Sequence, residues 1–412
     1  MAVRSASGPS VRPRARRTER AGGDVTSAAH RVSAQCARRL VCKPDYTYSH
    51  DFLKLTVVSR IKPILELQKS SQAQANPPGG GLSNPSPPCA WVNTRNLRAP
   101  SVRILITGAS GFIGRHLSAY AVSRGHTVTG TYLSESELSA RDLPNKGIQW
   151  VRLDMRAPAK VKPLVAECHP DAVFHLAAQA YAKKAWNKPF DTFRTNVLGT
   201  IALYEALRRY PPRKGTLLTA SASAYGEVKA LPIREETPLN PTNPYGVSKA
   251  CQEMLSLQYS LNYGLRIVRA RLFGTTGPGK TGDALNDFAR QIAAIERTRT
   301  PGILRVGNLS TRRDVQDIRD AVRALWLVFE KGIPSQPVNI GSGKSCSIRW
   351  IAETLARLSR VAVKIRVEKA LFRPTDEAGN EAEISRLLAL GYHPDFPIER
   401  TISDSLDYWR QG

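Results

Sequence analysis

The stretch VRILITGASGFIGRHL at residues 102–117 constrains this chain more than any other, because an apolar run enters a glycine turn and leaves it as a helix. Gly108 permits the tight turn, Gly111 lets backbone approach a pyrophosphate, and Gly114 lets the helix pack close to the strand. The helix N-terminus then offers its unpaired amides to the anion. A glycine pattern alone is weak. Placed between a strand and a helix in a βαβ unit, it predicts a dinucleotide site. In such sites an acidic residue about 20 positions further on holds the adenosine ribose. The corresponding position here is Tyr132. No carboxylate there opposes a 2′-phosphate and no arginine follows to demand one, so NADP and NAD both remain open. Asp154, closing the third strand, has two readings: it faces the adenine, or it caps the following helix.

Beyond residue 100, apolar β-branched runs alternate with helical stretches: VRILITG, HTVTGTYL, IQWVRLD, DAVFHLAA, GTLLTAS and LRIVRARLF. This alternation predicts an α/β fold, a Rossmann-type doubly wound parallel sheet with helices on both faces. Residues 101–274 are expected to form the dinucleotide-binding domain with the catalytic helix, and 275–412 mainly a smaller, mixed substrate lobe. Two helices are expected in that lobe, at 318–332 and 347–359. Residues 1–100 differ in composition. The arginine cluster RPRARRTER and the tract NPPGGGLSNPSPP cannot bury enough apolar surface to fold. This tail reads as largely disordered, as an organelle transit peptide, or as an upstream extension from a mis-assigned start, and the sequence does not choose among these.

The formal charge of +26 invites a nucleic-acid reading. Residues 1–100 carry 16 Lys+Arg against 5 Asp+Glu, so +15 remains in 101–412 and the excess is not confined to the tail. An anionic small ligand suits that field equally. The six cysteines, at 36, 42, 89, 168, 251 and 346, form no C-x-x-C pair and have no histidine at metal-ligand spacing, so reduced thiols and no metal site are expected. No apolar run is long enough to span a bilayer. A cytoplasmic protein without membrane or nucleic-acid partners is the resulting expectation.

Chemistry enters at NPYGVSKACQE, residues 243–253. Tyr245 and Lys249 are four apart, which on a helix stacks them on one face. An adjacent ammonium would favour the phenolate and lower the tyrosine pKa. The fifth strand ends in TASASAYG (219–226), and strand carboxyl ends are where an open α/β sheet places ligands, so Ser221 and Ser223 fall within reach of the same pocket.

These elements together resemble the extended short-chain dehydrogenase/reductases: GxxGFIG at 108–114, HLAAQ at 175–179, TNVLGT at 195–200, Ser221 before Tyr225-Gly226, and Y-x-x-x-K at 245–249. The resemblance implies Tyr245 as general acid/base, Ser221 hydrogen-bonding the reacting oxygen, and Lys249 holding the nicotinamide ribose while lowering the tyrosine pKa. It also implies a cofactor cradle of Gly108, Gly111, Phe112, Ile113, Gly114, Asp154, Met155, Leu176, Ala177, Ala178 and Asn196 along with Tyr245 and Lys249, and a homodimer through a helix bundle.

Later segments, including GPGKTGDALNDFARQIAAIE, RVGNLSTRRDVQDIRDAVRALWLVFEKG and FRPTD, are similar to the GDP-mannose 4,6-dehydratases and their sister GDP-4-keto-6-deoxymannose reductases, with the reductases nearer. Lys280, Arg312 and Arg313 are then candidate ligands of a substrate diphosphate. By resemblance Arg373 joins them, Asn308 lies near a guanine and Ser223 lines the sugar site. Two departures stand out. Dehydratases of this kind place a glutamate two residues after the catalytic Ser/Thr to remove the proton at carbon 5, whereas this chain has Ser223, which has no useful basicity. After Phe273, where relatives carry Asn-His, stand Gly274 and Thr275. The resulting expectation is NAD(P)H-dependent reduction of GDP-4-keto-6-deoxymannose to GDP-rhamnose for polysaccharide synthesis. A 4,6-dehydratase or 4-epimerase on the same scaffold is the nearest rival, and a non-catalytic nucleotide- or nucleic-acid-binding protein is a further one.

Overall fold

A computed structural model describes residues 101–139, 147–372 and 379–412. The tail at 1–100 and Arg373 lie outside the described residues. In chain order the first elements are β1 (Arg103–Thr107), α1 (Phe112–Ser123), β2 (Thr127–Tyr132), β3 (Ile148–Arg152), α2 (Val161–Cys168), β4 (Ala172–His175), α3 (Gly199–Arg209), β5 (Gly215–Ser221), α4 (Pro244–Tyr263) and β6 (Ile267–Leu272). There follow β7 (Gly274–Thr276), α5 (Ala284–Thr298), β8 (Gly302–Val306), β9 (Arg312–Asp317), α6 (Ile318–Lys331), β10 (Val338–Ile340), β11 (Ser345–Ser347), α7 (Ile348–Leu358), β12 (Val363–Val367) and α8 (Ile398–Arg410).

Seven strands form one sheet in the order β10-β6-β5-β4-β1-β2-β3, every neighbouring pair parallel. This is the doubly wound, Rossmann-type arrangement that the alternation predicts. The central strands β1, β4 and β5 are buried along nearly their whole length because both faces are covered. Ile104 and Ile106 of β1 point to one side, into a core with Leu117 of α1 and Val322, Leu325 and Trp326 of α6. Leu105 points to the other, among Leu164, Val165, Leu203 and Leu207 of α2 and α3. The strand order reverses between β1 and β4, which opens a crevice at their carboxyl ends. Leu176 donates its amide to the Thr107 carbonyl at 3.1 Å just beyond that point.

The later residues divide between two cores. α6 and β10 return to the large sheet, although they come after residue 274. A smaller body is built on the three-stranded sheet β11-β9-β7 and the pair β12-β8. Its core gathers Phe288 and Ile292 of α5, Ile351 and Leu355 of α7, Ile402 and Leu406 of α8, and Leu304 and Val306 of β8. Both helices expected in this half are present, as α6 and α7. No helix among the described residues is long and apolar enough to cross a membrane.

Candidate active site

The glycine turn between β1 and α1 is fixed by steric need. Gly108 sits at φ 71°, and a Cβ there would lie 2.8 Å from the backbone of Ala177. At Gly114 it would lie 2.2 Å from the Gly108 carbonyl oxygen. Gly111 caps α1 without a side-chain hydrogen bond, and no acidic residue stands in the first turn. The helix therefore presents uncapped amides and an unopposed dipole beside a bare backbone turn, which fits the pyrophosphate of a nicotinamide dinucleotide. Phe112 and Ile113 open that helix half-buried, and Leu176, Ala177 and Ala178 run past the turn from the end of β4.

Asp154 accepts from the Arg156 backbone amide at 2.9 Å and pairs with the Arg156 guanidinium at 2.7 Å. That guanidinium holds the carboxylate below its usual range. Asp154 thus closes a local turn with Arg156 and does not cap the helical turn at Pro158–Lys160, whose N-cap is Ala157. Met155 is buried against Gly199, where a Cβ would stand 2.8 Å from its own. Asn196, buried in a π-helical segment at Arg194–Leu198, accepts from the Gln179 amide at 2.7 Å and donates to Ser248 Oγ at 2.8 Å. It ties the strand end carrying Ala178 to α4. Such π-bulges recur at functional sites.

α4 begins where the sequence says it must. Asn243 accepts from the Gly246 amide at 2.9 Å as N-cap, and Pro244 fills the first helical position, where its missing N–H costs nothing. Tyr245 is thus held in the first turn. A Cβ on Gly246 would fall 2.4 Å from the Ser223 carbonyl oxygen, so glycine is what lets α4 seat Tyr245 against the turn after β5. In that turn Ser221 Oγ accepts from the Ser223 amide at 3.2 Å and is hydrogen-bonded to Tyr245. Lys249, one turn on, is buried and donates to the Thr219 carbonyl at 2.8 Å.

One expectation needs correcting. Lys249 does not lower the tyrosine pKa here. Burial pushes the Tyr245 phenol above its ordinary value, and only the Ser221 hydrogen bond pulls the other way. The amine itself is brought down to about 7 by desolvation, because its neighbour is a carbonyl and no carboxylate.

His175 and a buried ion network were not among the sequence candidates. His175 bridges Thr107 and Thr200, 2.8 Å from each hydroxyl, and burial drops its pKa to about 3, so it is neutral. Gln252 of α4 donates to the same Thr200 hydroxyl at 2.7 Å. Glu253 accepts from Arg271 Nη2 at 2.5 Å, and Arg271 Nη1 donates to the Tyr225 hydroxyl at 2.7 Å. The signal lay in IVRARLF, where two arginines two apart put charge on one face of an otherwise apolar strand, and in Glu253, one turn after Lys249.

The described substrate candidates are each held by local contacts. Lys280 contacts the Thr275 carbonyl and Asp283, and its ammonium lies 5.7 Å from the Phe112 ring centre, beside the dinucleotide turn. Arg312 donates to the Ser345 carbonyl at 2.6 Å, and Arg313 to the Arg312 carbonyl at 2.9 Å. Asn308 accepts from Ser310 within its own turn. The Gly274 departure has a packing reason. β7 pairs in parallel with β9, and a Cβ on Gly274 would be 2.4 Å from the Asp314 carbonyl oxygen.

A parallel sheet with this strand order, a glycine turn at its switch point and a Ser-Tyr-Lys set at the end of β5 define an extended short-chain dehydrogenase/reductase. Comparison with known proteins places the chain within that class. The GDP-mannose 4,6 dehydratase family pattern matches residues 105–405, and the chain belongs to this family of NAD(P)-dependent enzymes. It is 33% identical to GDP-6-deoxy-D-mannose reductase of Pseudomonas aeruginosa, over 74% of this chain and 97% of the relative. The solved structure of RMD from that organism, complexed with NADPH, superposes with a TM-score of 0.65 at 32% identity, covering 76% of this chain and 99% of that one. UDP-glucose 4-epimerase of Mycolicibacterium smegmatis is 30% identical over 75% of this chain and 99% of its own length.

Proposed function

We propose that this chain reduces the 4-keto group of a GDP-linked 4-keto-6-deoxyhexose, taking GDP-4-keto-6-deoxymannose to GDP-rhamnose with NADH or NADPH. The observation that carries the reading is Ser223. It occupies the position two after Ser221, adjoins it through an amide-to-hydroxyl hydrogen bond, and offers an oxygen that binds but does not abstract a carbon-bound proton. Reduction needs no such base. The nicotinamide, when bound, supplies the hydride to carbon 4.

The remaining work falls to the chain's own residues. Tyr245, kept protonated by burial, gives its phenolic proton to the oxygen that gains negative charge. Ser221 hydrogen-bonds the same oxygen and orients the phenol. Lys249, anchored on Thr219, is placed one helical turn behind to hold a ribose hydroxyl. Residues 275–412 would carry most of the sugar nucleotide, with Arg313, Arg312 and Arg373 toward its diphosphate. A homodimer through the helix bundle is part of the same reading.

The test is to offer the full chain GDP-mannose with NAD⁺ or NADP⁺, GDP-4-keto-6-deoxymannose with NADH or NADPH, and UDP-glucose with NAD⁺, and to identify products by NMR. Consumption of the keto sugar alone is expected. Dehydration of GDP-mannose or epimerisation of UDP-glucose would replace this reading with one of its rivals.

A further inference from the structure

Ser221 ends β5, and its angle to Tyr245 depends on the turn that follows. Ser221 Oγ accepts from the Ser223 amide at 3.2 Å. That amide belongs to the single helical turn Ala222–Ala224, which Tyr225 closes by donating its own amide to the Ala222 carbonyl at 3.0 Å. Tyr225 is fully buried, so the far end of the turn is set by whatever holds its side chain.

Two groups hold it. Arg271 Nη1 of β6 reaches the Tyr225 hydroxyl at 2.7 Å, and a guanidinium only donates, so the hydroxyl accepts there. Its own proton goes to Asn339 Oδ1 of β10, also at 2.7 Å. Asn339 is fixed in turn, because its side-chain nitrogen donates to the Ile233 carbonyl at 2.9 Å and the Glu383 carbonyl at 3.2 Å. Arg271 is held as firmly. Its Nε and Nη2 fork onto the two oxygens of Glu253 at 2.9 Å and 2.5 Å, and Nη1 also donates to the Glu235 carbonyl at 2.8 Å. Glu253 stands two helical turns beyond Tyr245, on the face of α4 that carries Lys249. One buried chain of hydrogen bonds therefore runs from the helix that seats Tyr245, through Arg271 and Tyr225, to the turn that seats Ser221.

We infer that Tyr225 is a positioning residue for Ser221, keeping the serine hydroxyl in line with the Tyr245 phenol through the turn at Ala222–Ala224, with Arg271 as the fixed point that ties this turn to α4. The inference rests on Ser221 and Tyr245 acting as the proton-handling pair, and it holds for reduction, dehydration and epimerisation alike. A displacement of about 1 Å at a reacting group costs up to about a hundredfold in rate, so the loss of one hydroxyl behind the serine should be visible in kcat.

Initial rates and dinucleotide titration on the full chain test it, with whichever of GDP-4-keto-6-deoxymannose, GDP-mannose and UDP-glucose the chain turns over. Tyr225→Phe keeps the ring and removes only the hydroxyl. Its kcat, taken per dinucleotide-binding site so that only folded protein counts, is expected to fall about tenfold, with KM and dinucleotide affinity within about twofold. In a Ser221→Ala background the same substitution should change kcat by less than about twofold, because the serine through which it acts is gone. Arg271→Lys, which keeps a charge for Glu253 but replaces the fork by a point, should reproduce the kcat loss. An unchanged kcat in either variant, with no more than a lower melting temperature, would overturn the inference and leave Tyr225 a packing residue. Equal losses with and without Ser221 would overturn it as well. Full activity in Tyr245→Phe, or turnover of none of the three sugars, would instead refute the Ser221–Tyr245 pair, and the inference with it.

Discussion

Tyr245 and Lys249 show how far residue types at a given spacing carry an argument, and where environment takes over. Spacing alone reads an i, i+4 pair of a phenol and an ammonium as mutual electrostatic help. The structure keeps the pair but points the amine at the Thr219 carbonyl, burying the amine and half-burying the phenol, so desolvation decides the direction of both shifts. Tyr245→Phe should lower keto-sugar reduction about 10²- to 10⁴-fold with NADH affinity nearly unchanged, measured by initial rates and dinucleotide titration. The buried lysine also predicts a pH effect on stability. Its folded pKa of about 7 lies below its unfolded value, so between pH 7 and about 10.4 the unfolded chain holds a proton that the folded one has shed. The stabilisation linked to it is present above that window and lost as pH falls through it. Denaturant melts of the unmodified chain and Lys249→Met at several pH values should show the difference shifting toward the unmodified chain by about 1 kcal/mol per pH unit as pH rises from 7. A constant difference would mean the amine is not depressed.

At the scale of elements, the most legible piece was the one whose chemistry is local. The strand-turn-helix at 102–117 and the Asn-Pro start of α4 follow from backbone rules that act over a few residues, and both stand where the sequence put them. Less legible was anything that depends on a distant partner. Three residues, Val338–Ile340, extend the large sheet as β10, and no periodicity in so short a run could have assigned them to it. The buried pair Glu253–Arg271 links α4 to β6 and, through Tyr225, to the turn that carries Ser221. Arg269 Nη1 also lies 3.5 Å from Glu253 Oε1, so removing Arg271 leaves the buried carboxylate with only its longer partner. Arg271→Met should cost about 3–5 kcal/mol, and the Glu253→Met, Arg271→Met double variant less than that, as judged by denaturant unfolding. Equal losses would mean that the charges are not coupled.

For the molecule as a whole, charge pointed in a direction the fold did not need. A net +15 outside the tail suits an anionic sugar nucleotide without demanding a nucleic acid. The field should act on capture and not on chemistry. Raising ionic strength from about 0.05 to 0.5 M is expected to increase KM for the keto sugar several-fold while kcat changes little. A loss confined to kcat would count against that role. The class of enzyme was legible because motifs scattered over 140 residues, from Gly108 to Lys249, must meet at one switch point for any of them to work. The reaction itself was harder to read, because reductase, dehydratase and epimerase share that switch point and differ by the side chain at a position such as 223.

Net transfer of hydride from cofactor to sugar is therefore the measurement that goes to the centre of the account. The full chain would be given GDP-4-keto-6-deoxymannose with NADH carrying deuterium at the transferring carbon, and the product followed by NMR and mass. One equivalent of NADH oxidised per sugar, with deuterium at carbon 4 of the product and none at carbon 5, is the result predicted. Turnover of GDP-mannose or UDP-glucose with no net change in dinucleotide, and no label entering the sugar, would contradict it.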